Sequence, residues 1–237
     1  MKNGTRTSIG CRESIIMDMY GEKSGRITEK NLPYFHVEGS FGGNQDWFTN
    51  IVMHIGGCAA ATACDCSIYF ALYMGCGPLY PYDVHVLTKR EYVAFSQKMK
   101  PYIKPRMNGV REVPWFIDGF GKYIEDVGKE TEERIYVGME GFSGKRSYAE
   151  ARAVIKGQID RGLPVPYLLL RHRDTSVFKD YIWHWFLLVG YAEAGDDLLV
   201  RTATYGHSDT FSLKEMWDTG CEDKGGLVQF TDIRYNK

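Results

Sequence analysis

The feature that most constrains this chain is the stretch 56–61, Gly-Gly-Cys-Ala-Ala-Ala, where two glycines give way to a long run of small and apolar residues. The run continues to Met74, and Gly75 and Pro78 follow it. Alanine favours helix more than any other residue, whereas glycine and proline end helices. The pattern therefore predicts a helix that begins at Cys58.

The predicted position of Cys58 favours a reactive thiol. A thiol at a helix N-terminus lies beside unpaired backbone N–H groups and the positive end of the helix dipole, and both favour the thiolate. The preceding glycines would let a substrate approach the sulfur, and the N–H of Cys58 could donate to an oxyanion that forms there. The alternative is a small buried residue at a helix start, since free cysteine is among the most buried residue types.

A second informative stretch is 181–191, Tyr-Ile-Trp-His-Trp-Phe-Leu-Leu-Val-Gly-Tyr, in which His184 opens an apolar strand. His184 follows Cys58 by 126 positions. In papain-like enzymes the basic histidine follows the nucleophile by about 130 positions or more and is adjacent to it in the fold, not in the sequence. The spacing therefore makes a Cys58 and His184 pair a candidate for thiol chemistry.

Four motifs resemble the papain-like cysteine peptidase superfamily, most closely its bacterial C39-like branch. They are Gly-Cys-Ala at Cys58, Gly-Leu-Pro-Val at 162–165, His-x5-Gly-Tyr from His184, and Ser-Leu-Lys-Glu-Met-Trp at 212–217 after a hairpin strand. The resemblance implies a papain-like cysteine proteinase fold, with a helical lobe packed against an antiparallel β-sheet lobe. It also implies a cysteine peptidase or a related thiol acyl hydrolase or transferase, with Cys58 as nucleophile and His184 as base.

The oxyanion donor that the resemblance implies is a glutamine ahead of the nucleophile. Gln45 is the candidate, but 13 positions separate it from Cys58, a longer gap than in the family. Either residues 51–55 form an insertion, or the donor is Asn44, Asn50 or another residue. An exposed loop glutamine is the alternative interpretation of Gln45.

The third member of the site is an Asn or Asp in the family, on the strand after the histidine. The local match places Thr202 there, 18 residues after His184. A hydroxyl can accept from an imidazole N–H, but it has no charge to stabilise an imidazolium. Asp209 or Asp180 could substitute from a neighbouring turn, and an ordinary strand residue is the alternative for Thr202.

The order of the predicted elements indicates an α+β chain with one domain over residues 1–237. Residues 1–160 are mainly helical, and residues 161–237 form an antiparallel sheet lobe. The predicted strands are short apolar runs separated by turn residues, at 163–170, 183–191, 197–203 and 226–230. Helices that precede strands favour two lobes with a cleft between them.

Composition argues against several classes of partner. Lys and Arg total 29 and Asp and Glu total 30, so the net charge of −1 does not favour nucleic acid or an acidic membrane surface.

The N-terminus lacks the apolar run of a secretory signal, and we expect a cytoplasmic protein unless a leader was removed. Four of the six cysteines crowd into residues 58–76, which favours reduced thiols. We expect a peptide or a small acyl or amide substrate, and no cofactor.

Other interpretations remain open. A catalytically inactive papain-like domain could bind a peptide in the same cleft. His54, four residues before Cys58, could act as a local base. Ser143 lies in a glycine-rich turn that lacks the full pattern of a nucleophile elbow. A metal site could be formed by Cys64, Cys66, Cys76 and His85, but the spacing of these residues is poor for structural zinc.

Overall fold

The computed structural model describes residues 28–106 and 109–236. Sequence features of residues 1–27, among them Cys11 and the apolar run 14–20, lie outside this part. The described residues form helices and an antiparallel sheet, which confirms the predicted α+β class. In chain order the elements are β1 (Glu29–Asn31), β2 (His36–Val37), β3 (Ser40–Phe41), α1 (Ile51–Gly56), α2 (Cys58–Tyr73), α3 (Lys89–Met99), α4 (Val113–Thr131), β4 (Arg134–Ser143), α5 (Tyr148–Asp160), β5 (Val165–Leu169), α6 (Thr175–Phe178), β6 (His184–Ala194), β7 (Asp197–Ala203), β8 (Thr210–Ser212), α7 (Leu213–Trp217) and β9 (Gly225–Asn236).

The main sheet runs through the centre of the described structure. Its strand order is β4-β9-β5-β6-β7-β8, and β1 also pairs with β6, so that seven described strands take part. Every pairing between these strands is antiparallel. The first eight residues of β6 are all buried. A strand buried on both faces reads as a continuous apolar run, which is the pattern that predicted it.

Helices cover both faces of this sheet. Consecutive residues of β6 point to opposite faces. Trp185 stacks on Phe116 of α4, with ring centroids 4.6 Å apart. Phe186 stacks on Tyr167 of β5 at 5.1 Å, and Tyr167 in turn meets Trp217 of α7 edge-on at 5.8 Å. The two packed faces fix the position of β6 and therefore of His184 at its first residue.

The helix predicted from the alanine-rich run is present as α2 and begins at Cys58, as expected. Thirteen of its 16 residues are buried, so the helix is enclosed on nearly all sides. Gly57 makes the entry to α2 possible. A Cβ at this position would lie 2.3 Å from the carbonyl oxygen of Met53 in α1, which only glycine avoids. The two glycines thus let α1 turn directly into α2.

The predicted boundary at residue 160 does not separate helices from strands completely. β4 belongs to the first part of the chain but pairs along its length with β9, the last strand. Side chains cap two of the helices: Thr88 accepts from the N–H of Glu91 at the start of α3, and Ser147 forms a full capping box with Glu150 at the start of α5. In the described ranges, no helix is long and apolar enough to cross a membrane.

Candidate active site

Cys58, His184 and Gln45 line one small cavity, although they are far apart in the sequence. The cavity has a volume of about 10 Å³, about the room of a single water molecule. It lies where the N-terminal half of α2 packs against the start of β6. The remaining lining residues are Gly43, Ala61, Thr62, Asp65, Tyr92, Trp185, Leu187, Ala203, Thr204 and Tyr205.

The Cys58 thiol is 5% exposed, and its environment contains opposing influences on its pKa. Burial raises the pKa of the Cys58 thiol, and this is the dominant effect. The backbone N–H groups of Trp185, Ala59 and Cys58 itself act in the opposite direction, since they stabilise the thiolate. The helix N-terminus therefore acts as the sequence predicts, but burial outweighs it, and the resting group is a neutral thiol.

His184 is held by groups on both of its ring nitrogens. Nε2 lies 2.7 Å from Oγ1 of Thr204, and Nδ1 lies 3.3 Å from the hydroxyl of Tyr205. Burial lowers the pKa of His184 to about 3, so the imidazole is neutral at pH 7. A neutral ring that donates from Nε2 to Thr204 leaves Nδ1 as an acceptor for the Tyr205 hydroxyl, and both contacts are then satisfied.

The prediction that Thr202 orients His184 is wrong, because Thr204 occupies that position. Oγ1 of Thr202 lies 2.9 Å from the hydroxyl of Tyr181 and also contacts the backbone of Asp209. Asp209 accepts from Tyr181 at 2.7 Å, so its carboxylate is also directed elsewhere. Thr202 pairs with Leu188, four residues along β6 from His184, whereas Thr204 lies two residues farther along the chain in the direction of His184. A local sequence match does not reveal this strand register.

Gln45 reaches the cavity in spite of its long separation from Cys58. Residues 51–56 form the extra helix α1, one of the two arrangements that the sequence left open. Gln45 is 7% exposed, and its Nε2 donates to the carbonyl of His54 at 2.6 Å. Oε1 of Gln45 has no hydrogen-bond partner within the described part of the chain. The hydrogen bond to His54 uses one of the two N–H groups of Nε2.

The structure also places the other sequence candidates. The His54 side chain is exposed and does not line the cavity. Ser143 ends β4 and lines a separate pocket of about 390 Å³ beside the start of α4. Among the described residues, no group of three or more His, Cys, Asp or Glu side chains is placed to hold a metal ion.

Three residues of the site were not predicted from the sequence: Thr204, Tyr205 and Asp65. The ring of Tyr205 is nearly parallel to that of His184, at 6°, with centroids 4.5 Å apart. Asp65 is a buried carboxylate in the otherwise uncharged helix α2. A charged residue inside an apolar helical run is a signal that could have identified it, since aspartate is almost never buried without a partner.

Comparisons with protein-family models, curated proteins and solved structures give no match to this chain.

Proposed function

We propose that this chain is a papain-like thiol enzyme of the C39-like type, a cysteine peptidase or a related acyl hydrolase or transferase. The observation that supports the proposal best is the convergence of Cys58, His184 and Gln45 on one cavity, with Thr204 on the other ring nitrogen of the histidine. This combines a nucleophile, a base, a group that orients the base and an amide donor for an oxyanion. The substrate is a peptide or a small acyl or amide compound.

The reaction begins with a proton transfer. Thr204 engages Nε2 of His184, so Nδ1 takes the proton of the Cys58 thiol once the Tyr205 hydroxyl has moved away from it. The thiolate sulfur attacks the carbonyl carbon of the substrate and forms a tetrahedral oxyanion. The leaving amine or alcohol takes the proton from the imidazolium as the carbon–heteroatom bond breaks. Water then attacks the thioester and releases the acid and the free thiol, whereas an amine in place of water completes a transfer.

The oxyanion would be held by the N–H of Cys58 and by Nε2 of Gln45. In well-studied enzymes, the loss of one such donor costs about 2.7–4 kcal/mol of transition-state stabilisation. The hydroxyl of Thr204 orients the imidazole but carries no charge to stabilise the imidazolium. We therefore expect slower proton transfer than in an enzyme with a carboxylate in that position.

A second candidate function is peptide binding without catalysis. The specific observation in its favour is the state of the resting pair: burial keeps Cys58 a neutral thiol and His184 a neutral imidazole. In addition, a cavity of about 10 Å³ admits no substrate group unless its walls move. In this alternative, a peptide binds in the cleft predicted between the two lobes, and the thiol never reacts.

The decisive experiment measures acylation of Cys58. The wild type, Cys58→Ala and His184→Ala are mixed with p-nitrophenyl acetate, the release of p-nitrophenol is followed, and the acyl group is located by mass spectrometry. The enzyme proposal predicts a burst with the acyl group on Cys58, which is absent in Cys58→Ala and strongly reduced in His184→Ala. If several cysteines are acylated and the acylation rate is the same in His184→Ala as in the wild type, the enzyme proposal is contradicted and the binding function is favoured.

A further inference from the structure

Asp65 is a buried carboxylate that shares the cavity with Cys58. It lies seven residues after Cys58, two turns along the same face of α2, and lines the cavity. It accepts hydrogen bonds from the hydroxyls of Tyr92 at 2.7 Å and Tyr34 at 2.9 Å. The N–H of Gly43 donates to both carboxylate oxygens at 3.2 Å. In residues 28–106 and 109–236, no Lys or Arg forms an ion pair with it.

A buried carboxylate without a counter-ion is costly, so its partners indicate what it does. All three donate in this arrangement, and a carboxylate accepts from them on its two oxygens. An amide at position 65 would keep one acceptor oxygen and would place an NH2 group where the second carboxylate oxygen accepts. Burial raises the pKa of Asp65 to about 6, although the Tyr92, Tyr34 and Gly43 donors lower it. The carboxylate therefore loses an acceptor oxygen to protonation in mildly acidic solution.

Gly43, the backbone partner of Asp65, is fixed between two side chains. A Cβ at Gly43 would lie 1.9 Å from the ring of Tyr92, so only glycine lets the backbone pass between Tyr92 and Asp65. Gln45 follows two residues later and reaches the cavity. The carboxylate thus fixes the backbone that carries the oxyanion donor.

The same loop continues the connection to the histidine. The N–H of Gly206 donates to the carbonyl of Gly43 at 3.0 Å, and Nδ2 of Asn44 donates to the carbonyl of Tyr205 at 2.9 Å. The N–H of Phe41 donates to the carbonyl of Gly206 at 2.8 Å. These bonds join the loop 41–45 to the turn 204–207. That turn carries Thr204 and Tyr205, the two residues on the ring nitrogens of His184.

We propose that Asp65 is a positioning residue for the candidate reaction: its carboxylate fixes the loop 41–45, which sets Gln45 in the cavity and holds the turn against His184. This inference rests on the proposed roles of Cys58 and His184. Asp65 acts through hydrogen bonds, because its carboxylate accepts from Tyr92, Tyr34 and Gly43 and has no direct hydrogen bond to Cys58 or His184 among the described residues.

The groups that face Asp65 do not themselves titrate near neutral pH. Tyr34 and Tyr92 face it from the loop before β2 and from α3, and burial raises the pKa of both. Cys64 and Cys66 are its neighbours in α2, and burial raises the pKa of both thiols as well. His36 pairs with Phe41, and His207 lies in the turn 204–207. A change in the loop near pH 6 therefore reports Asp65 only where it is present in the wild type and absent in Asp65→Asn, since both histidines are common to the two proteins.

The test compares Asp65→Asn with Ser67→Ala, a matched control in the same buried helix. Ser67 is fully buried but bonds only to the carbonyl of Ala63 within α2. The first readout is amide hydrogen exchange of peptides that cover 41–46 and 204–207. We expect exchange to rise at least about tenfold in both segments of Asp65→Asn and to stay unchanged in Ser67→Ala. Unchanged exchange of 204–207 in Asp65→Asn would overturn the proposed connection.

The second readout separates positioning from general destabilisation. We expect the p-nitrophenyl acetate burst rate to fall in Asp65→Asn at least as much as in Gln45→Ala, since Asp65 also acts on the turn that holds His184. The double variant should be no slower than the slower single variant, because both changes remove the same donor. Fully additive losses would overturn the proposal. The wild-type rate should also decline below about pH 6, and that decline should be absent in Asp65→Asn.

Asn44→Ala tests the connection without altering the core, in case Asp65→Asn does not fold. It removes the bond from Asn44 to Tyr205 while leaving Asp65 and Gly43 unchanged, so we expect faster exchange of 204–207. Within 41–46 it also removes the acceptor of the Asp46 N–H, so exchange there should rise at Asp46 but not at Gly43. If this exchange does not change, the link through the loop is wrong. If the wild type shows no burst that depends on Cys58, the enzyme proposal fails, and hydrogen exchange still decides whether Asp65 fixes the turn.

Discussion

The hydroxyl oxygen of Tyr205 lies 3.3 Å from Nδ1 of His184, and the two rings stack with their centroids 4.5 Å apart. Burial raises the pKa of Tyr205, and the nearby Cys58 adds to this, so the phenol stays protonated and can donate. Tyr205 therefore occupies the ring nitrogen that would have to accept the proton of Cys58. In the resting structure, the base is engaged by a tyrosine and not by the nucleophile.

Tyr205→Phe should raise the reactivity of Cys58. The variant keeps the stacked ring but frees Nδ1, so the imidazole can form its hydrogen bond with the thiol. Given the typical net value of such a bond, about 1 kcal/mol, we expect the rate of iodoacetamide alkylation of Cys58 at pH 7 to rise roughly fivefold. Mass spectrometry of the alkylated peptides measures the rate at Cys58 separately from the other cysteines.

Tyr181→Phe is the matched control for this experiment. The Tyr181 hydroxyl bonds Thr202 and Asp209, so its loss leaves the contacts of His184 in place, and the Cys58 rate should not change. A slower reaction in Tyr205→Phe would reverse the interpretation, since the hydroxyl would then relay the proton instead of blocking the base.

Thr204→Val should weaken the site, whereas Thr202→Val should not. Valine keeps the shape of threonine but removes the hydroxyl that lies 2.7 Å from Nε2 of His184, which leaves a buried N–H without a partner. The cost of such a group is about 1–3 kcal/mol, so we expect the burst rate with p-nitrophenyl acetate to fall roughly fivefold or more. Equal losses in both variants would indicate a general effect of hydroxyl removal in this region.

The α+β class and the main elements could be predicted because they depend on local patterns. The run after Cys58 is long and rich in alanine, and the run after His184 is apolar and short, so length and composition distinguish a helix from a buried strand. The start of α2 was predicted at the correct residue because Gly56 and Gly57 differ sharply from the residues that follow.

The parts of the site that the sequence did not reveal depend on contacts between distant segments. The identity of the histidine's partner depended on the pairing of β6 with β7, which places Thr202 opposite Leu188, four residues from His184, and leaves Thr204 nearer to the histidine. The resting state of Cys58 depended on burial, which opposes the effect of the helix N-terminus on its pKa. Neither the partner of His184 nor the protonation state of Cys58 can be predicted from the residues next to them in the sequence.

The lowered pKa of His184 predicts how stability depends on pH. The imidazole has an ordinary pKa of about 6.5 in the unfolded chain and about 3 in the folded protein, so the unfolded state binds the proton more tightly. Its contribution to stability is complete above about pH 6.5 and is lost as the pH falls towards 3. At pH 5 the loss is about 2 kcal/mol.

His184→Asn should remove this part of the pH dependence. Urea unfolding of both proteins at pH 7 and pH 5 measures it, and we expect the wild type to lose about 2 kcal/mol more than the variant over this interval. Asp65 has the opposite influence, because its raised pKa makes the folded state bind a proton in the same range, but it is present in both proteins and cancels in the difference. Equal losses in the two proteins would mean that His184 is accessible to solvent and readily protonated.

Gly57→Ala should disturb the corner that places Cys58 at the helix start. The φ angle of Gly57 is −92°, which alanine adopts without strain, so the effect comes from contact alone. The new Cβ would lie 2.3 Å from the carbonyl oxygen of Met53 and would push α1 away from α2. Overpacking of this kind costs about 1–3 kcal/mol, which urea unfolding would detect.

Gly77→Ala is the control, because no atom lies within 4 Å of its Cβ position. Since Gln45 donates to the carbonyl of His54 in α1, the burst rate should also fall in Gly57→Ala; an unchanged rate in a destabilised variant would separate the helix corner from the oxyanion donor.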